Sequence, residues 1–252
     1  MQYEIRAMSF GEILDMGFKL VRDHFAVLIG IASVIYVPLA VAGALVTPHT
    51  GQVPSRAALL ASLAVSLVFL LASPMVWAAV TFALGEIYLG RNASIGAALR
   101  SGFSLSVPLM GTAVLGGIAI VLGFILLIVP GVYLMLAFAL VWQIVVLEKI
   151  SGFAALRRSR ELLRRNLWRA FGVLLVGGLI TGVLGGILQL VFQFIPLLGP
   201  IAAGVARAVG MAYTSAVAVV LYFDIRCRKE AFDIEHLACL VATGGAPEPV
   251  ST

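Results

Sequence analysis

The chain alternates long uncharged, largely apolar stretches with short polar segments. Uncharged residues cover 25–46 and 57–85, and longer stretches cover 107–147 and 170–206. One crossing of a bilayer takes about 20 apolar residues, because the hydrocarbon layer is about 30 Å thick and an α-helix rises about 1.5 Å per residue. The first two stretches therefore predict one transmembrane helix each, and the other two are too long for a single crossing.

Two proline-glycine segments divide the longer stretches. Pro130-Gly131 lies near the middle of the third stretch, and 195–200 (Ile-Pro-Leu-Leu-Gly-Pro) lies in the fourth. Since Pro removes a backbone donor and Gly permits a turn, each segment predicts a tight hairpin between two helices. The last helix runs to about Phe223, which gives six spans. Pro74 lies inside the second span and predicts a kink there.

A short amphipathic segment precedes each predicted pair of spans. The segments are 11–20, 96–105 and 153–162, and all three share Leu at the fourth and tenth positions and a small residue at the seventh. The pattern predicts an all-α polytopic integral membrane protein, with six transmembrane helices arranged as three units of an amphipathic helix plus a helical hairpin. Residues 1–242 would form this single domain, and 243–252 a disordered tail.

Composition and charge agree with this interpretation. The 252 residues are 62% hydrophobic and 12% charged, whereas soluble domains are about 45–50% apolar and about 25% charged. With both termini in the cytoplasm, 15 of the 17 Lys and Arg residues fall in cytoplasmic segments, all except Arg56 and Arg207. Because cytoplasmic loops carry an excess of basic residues, both termini are predicted to be cytoplasmic.

The third amphipathic segment is the most basic. Glu161 can pair with Arg157 and Arg165 one turn away on either side, and a basic amphipathic helix is typical of the inner membrane surface. The candidates for binding anionic inner-leaflet headgroups or a partner protein are Arg157, Arg158, Arg160, Arg164 and Arg165. The alternative is a loop that only fixes topology. Nucleic acid is not expected as a partner, since these residues lie between two spans.

Arg207 is the only basic residue within a predicted span. The favoured interpretation is that its side chain reaches to the outer interface, and the alternative is an intramembrane site for an anion such as a lipid phosphate.

Three glycines, Gly178, Gly182 and Gly186, form two overlapping GxxxG steps in the fifth span. They favour close helix packing within the bundle, with a homo-oligomer interface as the alternative.

Residues that would carry chemistry are sparse. Cys227 and Cys239, and His24, His49 and His236, have no metal-site spacing, so no metal, cofactor or catalytic residue is predicted. A proton- or cation-coupled transporter normally needs a carboxylate within a span, and none is present in the middle of one.

Two stretches, 147–168 and 221–235, carry a family resemblance together with the Pro130-Gly131 hairpin and the amphipathic N-terminus. The chain resembles the bacterial glycerophosphoryl diester phosphodiesterase membrane-domain family. In some relatives a soluble barrel carries the hydrolysis, but no position here matches that barrel's catalytic residues. The resemblance therefore implies a membrane module of undefined activity in a bacterial plasma membrane (the inner membrane).

Alternating charges directly follow the last span. They can pair with Glu148 or with the basic segment 157–165 and lock the cytoplasmic face, or they can dock a soluble partner. These residues are Asp224, Arg226, Arg228, Lys229, Glu230 and Asp233.

These patterns favour a non-catalytic scaffold or accessory subunit that contacts anionic lipid and partner proteins at its cytoplasmic face. The first alternative is a transporter, flippase or channel for a lipid or small anion. The second alternative is a membrane-embedded lipid phosphodiesterase.

Overall fold

The structure is a computed structural model that describes residues 6–46, 55–192 and 198–231. The predicted tail 243–252, Asp233, most of the second hairpin turn and the side chain of Leu198 lie outside this description. The described residues form helices α1 (Phe10–Asp23), α2 (Phe25–Val46), α3 (Arg56–Tyr88), α4 (Ile95–Leu126), α5 (Ile128–Ala137), α6 (Val141–Leu147), α7 (Phe153–Leu163), α8 (Leu167–Phe192) and α9 (Leu198–Glu230).

Six segments in the described part of the chain are long and apolar enough to cross a membrane. Five of them lie in α2, α3, α4, α8 and α9, and α5 and α6 together make the other, Ile128–Leu147. The predicted all-α polytopic fold with six spans is confirmed.

Helix α9 is the centre of the bundle. In its most apolar window 83% of the residues are buried, whereas the corresponding figure for α3 and for α8 is 11%. Helices α1, α2, α3 and α8 pack directly against it, and α6 and α7 contact it as well. The other spans therefore present much of their apolar surface outward, and such surface is stable only against lipid.

The exposed apolar side chains concentrate on a few helices and form the surface that faces lipid. On α3 they include Leu60, Leu63 and Leu70, each more than 60% exposed, and on α4 and α5 they include the residues around the turn Leu126–Val129. Helix α8 adds a third group between Leu175 and Val191.

The hairpin predicted at Pro130-Gly131 is present, but the chain turns slightly earlier. Leu127 is extended between α4 and α5, with φ −170° and ψ 155°. Pro130 then lies in the first turn of α5, where a backbone N–H would have no acceptor within the helix, so the absence of one in Pro costs no hydrogen bond. Gly131 is required by the close approach of the two helices, since a Cβ there would lie 2.5 Å from the Phe124 ring.

Pro74 lies inside α3, as predicted. Its missing N–H would have donated to the carbonyl of Leu70, and the Ser73 hydroxyl of the same helix donates to that carbonyl instead, at 3.2 Å. The freed carbonyl is thus satisfied without a neighbouring helix.

Two of the three amphipathic segments are separate helices, α1 and α7, whereas the second is continuous with its span. Residues 96–105 form the first third of α4. At Gly102 the helix touches α3, because a Cβ there would lie 2.5 Å from the Met75 carbonyl oxygen. This contact packs the segment against α3, so it does not lie flat on a membrane surface.

Candidate functional site

One carboxylate at the charged end of α9 joins three parts of the chain. The Asp224 side chain is fully buried and accepts hydrogen bonds from the backbone N–H of Met8 at 2.7 Å, from Arg169 Nε at 3.1 Å and from Arg228 Nε at 3.1 Å. Both guanidinium groups also donate to the Met8 carbonyl, Arg228 at 2.7 Å. We call these four residues the Asp224 cluster. It ties the segment before α1 to α8 and α9.

The sequence explains how α1 is presented to this cluster. Ser9 caps α1 and forms a capping box with Glu12, whose carboxylate accepts the Ser9 N–H at 2.5 Å. Arg6 Nη2 lies 2.7 Å from the other Glu12 oxygen. The hydrogen bond from Arg6 and those from Ser9 lower the pKa of Glu12 to about 2. The first turn of α1 is therefore fixed directly after Met8.

A second carboxylate is held where α6 ends. Glu148 accepts hydrogen bonds from Arg158 Nε at 3.0 and 3.2 Å and from the Tyr222 hydroxyl at 2.8 Å. The chain reaches α7 from there through two residues with positive φ, Lys149 at 56° and Gly152 at 68°. Helix α7 can therefore turn back and place Arg158 beside Glu148.

Arg158 connects this carboxylate to the end of α9. Its Nη1 lies 2.5 Å from Glu230, which also accepts Arg226 Nε at 2.9 Å. Hydrogen bonds from Arg158 to Glu230 and Glu148 raise the pKa of the guanidinium, against the effect of its partial burial. We call Glu148, Arg158, Tyr222, Arg226 and Glu230 the Glu148 network. The predicted pairing of the charged end of α9 with the basic helix is confirmed by Arg158 and Glu230, whereas Glu148 is bound by Arg158 and by Tyr222, which is not among the predicted charged residues of α9.

The remaining basic side chains of the predicted set form an exposed surface. Arg157 pairs with exposed Glu161 at 2.9 Å, as predicted, and Arg160 donates to the Tyr133 hydroxyl at 3.2 Å. Lys229 donates to the Glu161 carbonyl at 2.5 Å. We call the exposed arginines at α7 and its C-terminal turn the α7 basic surface, which consists of Arg157, Arg160, Arg164 and Arg165.

Arg207 contacts an aromatic ring of α3. Its guanidinium lies over the Phe69 ring, 5.8 Å from the ring centre. Phe69 is 13 residues beyond Arg56, where α3 begins, which corresponds to about 20 Å along the helix. Arg207 is nevertheless an exposed residue, so the predicted reach of its side chain to the outer interface stays a prediction.

The three glycines of α8 are not close helix contacts. A Cβ at Gly178, Gly182 or Gly186 would meet nothing within 4 Å, so the favoured interpretation of packing within the bundle is wrong. Helix α8 instead approaches α9 through Gly177 and Thr181, which directly precede Gly178 and Gly182 in the sequence. A homo-oligomer through the three glycines stays a prediction.

Sequence reasoning missed two members of the Asp224 cluster. Arg169 was counted only among the 15 basic residues of the cytoplasmic segments, and the Met8 backbone gave no signal at all. The sign in the sequence was the position of Arg169, directly before the uncharged stretch that begins at residue 170. Within the described residues, no group of three or more His, Cys, Asp or Glu side chains could hold a metal ion.

The fold and this site define an all-α, multi-pass membrane protein whose charged helix ends are joined by internal ion pairs. Residues 92–223 match a family described as a domain of unknown function, DUF7847. The match covers more than half of the chain, so the chain belongs to that family. No curated protein and no solved structure matches it.

Proposed function

We propose that this chain is a non-catalytic scaffold or accessory subunit of a bacterial plasma membrane, with both termini in the cytoplasm. Its α7 basic surface would contact anionic lipid headgroups and a partner protein. One observation carries this proposal: the arginines near the charged end of α9 divide into two groups. Those in the Asp224 cluster and the Glu148 network pair with buried or half-buried carboxylates, whereas the α7 basic surface remains exposed.

The surroundings of the α7 basic surface suit a membrane interface. Phe153 at the start of α7 is 74% exposed, and Trp168 just after it is 82% exposed. Exposed aromatic side chains beside arginines are typical of helices at the headgroup level. Each basic residue near an anionic leaflet contributes about 1 kcal/mol, screened by salt. Four arginines together would give this edge a clear preference for anionic lipid.

The internal ion pairs suit a scaffold because they hold the surface in one place. Arg158 is fixed from two sides, by Glu148 and by Glu230, so α7 is anchored to both α6 and α9. A partner would meet a preformed surface and would not have to order it on binding. The resemblance to the glycerophosphoryl diester phosphodiesterase membrane-domain family belongs to the same proposal, as a membrane module without a catalytic barrel.

The test is mass spectrometry of what copurifies with the tagged chain after gentle extraction from its native membrane. The double variant Arg164→Gln/Arg165→Gln removes two charges from the α7 basic surface. The double variant Arg91→Gln/Arg100→Gln removes two exposed charges elsewhere and serves as the matched control. We expect a stoichiometric partner, and anionic lipid above its bulk fraction, to be lost only in the first variant.

The opposite result would be a chain that purifies alone, or with the same lipid and protein in both variants. Either outcome would remove the α7 basic surface as a binding surface.

A further inference from the structure

Arg207 is an exposed residue that lines an open cavity between the helices. The cavity has a volume of about 310 Å³ and lies between α2, α3, α8 and α9. Aromatic rings from Tyr36, Phe69 and Trp77 form one side, and Gly182 and Gly186 of α8 form part of the other. The glycines leave this space open, because a side chain at either position would project into it or beside it.

The guanidinium of Arg207 has no carboxylate partner among the residues that the structure describes. Its neighbour is the face of the Phe69 ring, which in turn stacks on Tyr36 with ring centres 5.7 Å apart. A ring face stabilises the charge but accepts none of the strong hydrogen bonds that the guanidinium can donate. The donors are left for something that enters the cavity.

The depth of Arg207 along α9 makes an arginine without a carboxylate partner in the described part of the chain unusual. Arg207 is nine residues from the start of α9, which corresponds to about 14 Å along the helix. A charged side chain within a membrane-spanning helix is costly and normally faces a partner or an ion pathway. An anion at the guanidinium would offset that cost.

A second cavity connects this position with the outer ends of the helices. It has a volume of about 660 Å³, shares Phe69, Ala203 and Arg207 with the first cavity, and continues past Gly43 and Val65 toward the ends of α2 and α3. Arg207 therefore lies where an inner, aromatic-lined cavity meets a wider one on the side opposite the charged end of α9.

We infer that Arg207 and the two cavities around it bind a phosphate group. The planar guanidinium fork matches the oxygens of a phosphate in a bidentate arrangement, which an ammonium group cannot reproduce. The phosphate belongs either to a lipid headgroup that enters through the outer cavity or to free inorganic phosphate. Both sources present the same oxygens to Arg207.

The experiment uses the purified full chain in an alkyl maltoside detergent, which carries no phosphate. One arm adds inorganic phosphate, with potassium chloride at equal ionic strength as the reference. The other arm adds phosphatidylglycerol in the same micelles. Binding is measured by native mass spectrometry and by the rise in the thermal unfolding midpoint, which follows the ligand concentration relative to Kd.

We expect Arg207→Gln to weaken phosphate binding at least about 10-fold, because charged hydrogen bonds are lost, and Arg207→Lys to restore it only in part. Arg56→Gln, at the outer start of α3, is the charge-matched control and should bind like the native chain. A response in the first arm identifies free phosphate as the source, and a response confined to the second identifies a lipid headgroup.

A pair of glycine variants tests the cavity without touching the charge. Gly182→Leu fills it, whereas Gly178→Leu places the same side chain on the same helix away from it. Loss of binding in Gly182→Leu alone supports the proposal. Binding that is absent in both arms, or equal in the native chain and Arg207→Gln, overturns it.

Discussion

The backbone N–H of Met8 donates a hydrogen bond to the Asp224 carboxylate, 2.7 Å away, although 216 positions separate the two residues. The same carboxylate receives the guanidinium groups of Arg169 and Arg228. The two charges of the arginines exceed the single charge of Asp224, and the Met8 carbonyl accepts from both to complete the arrangement. The segment directly before α1 is therefore part of the packing around α9.

Replacing Asp224 with Ala should destabilise the chain by about 3–5 kcal/mol, because two guanidinium groups would lose their buried carboxylate. Asp224→Asn should have a smaller effect, since an amide oxygen still accepts the Met8 N–H. The measurement is reversible unfolding in mixed detergent micelles. Glu161→Gln is the control, since its pair with Arg157 is exposed to solvent and should contribute little to stability. Similar losses in Asp224→Ala and Glu161→Gln would contradict this account.

The spans were predictable because lipid imposes a simple rule on sequence. A run of about 20 uncharged residues is needed to cross it, whatever the run packs against. The break between α4 and α5 was also predictable from the local sequence, since Pro130 and Gly131 mark it. The division of the following span at 138–140 was not, because no Pro or Gly occurs there.

The partners of each charge could be predicted only in part. The charges after Phe223 indicated pairing with the basic segment 157–165, because both lie next to a membrane boundary on the same side, and Glu230 does pair with Arg158. The Met8 contact could not be predicted, since a backbone N–H leaves no trace in composition or periodicity. The glycines of α8 were misjudged for a related reason. GxxxG spacing shows that a helix face is smooth, but only the rotation of α8 about its axis decides whether that face meets α9.

Tyr222→Phe should destabilise the chain by about 1–3 kcal/mol, because the buried hydroxyl donates to the Glu148 carboxylate at 2.8 Å. Tyr133→Phe removes a hydroxyl that accepts from exposed Arg160 and is the matched control, with an expected change below about 0.5 kcal/mol. Both are measured by unfolding in the same micelles. If the two variants lost equal stability, the Glu148 network would not be the source of the effect.

Gly102→Ala should separate α3 from α4 and destabilise the chain by about 1–3 kcal/mol. The new Cβ would lie 2.5 Å from a backbone oxygen of Met75 and 2.8 Å from Ala79 Cβ, and backbone cannot move aside cheaply. Gly111→Ala lies on the same helix with nothing within 4 Å, so it should be neutral or slightly stabilising. The comparison is made by thermal unfolding in one detergent. A neutral Gly102→Ala would show that the two helices are not in contact there.

The stability of the first turn of α1 should depend on pH through the protonation of Glu12. The pKa of this carboxyl is lowered from 4.5 to about 2 in the folded chain, first by the hydrogen bond from Arg6. Its contribution is therefore fully present above pH 4.5 and is lost as the pH falls from 4.5 through about 2.

Hydrogen exchange of the first-turn amides of α1 should be slower in the native chain than in Glu12→Gln at neutral pH. That difference should shrink over this window and vanish below it, since both side chains are then uncharged. The other carboxylates are common to both chains and cancel in the comparison. A difference that persists at the lowest pH would mean that Glu12 acts through its shape and not through its charge.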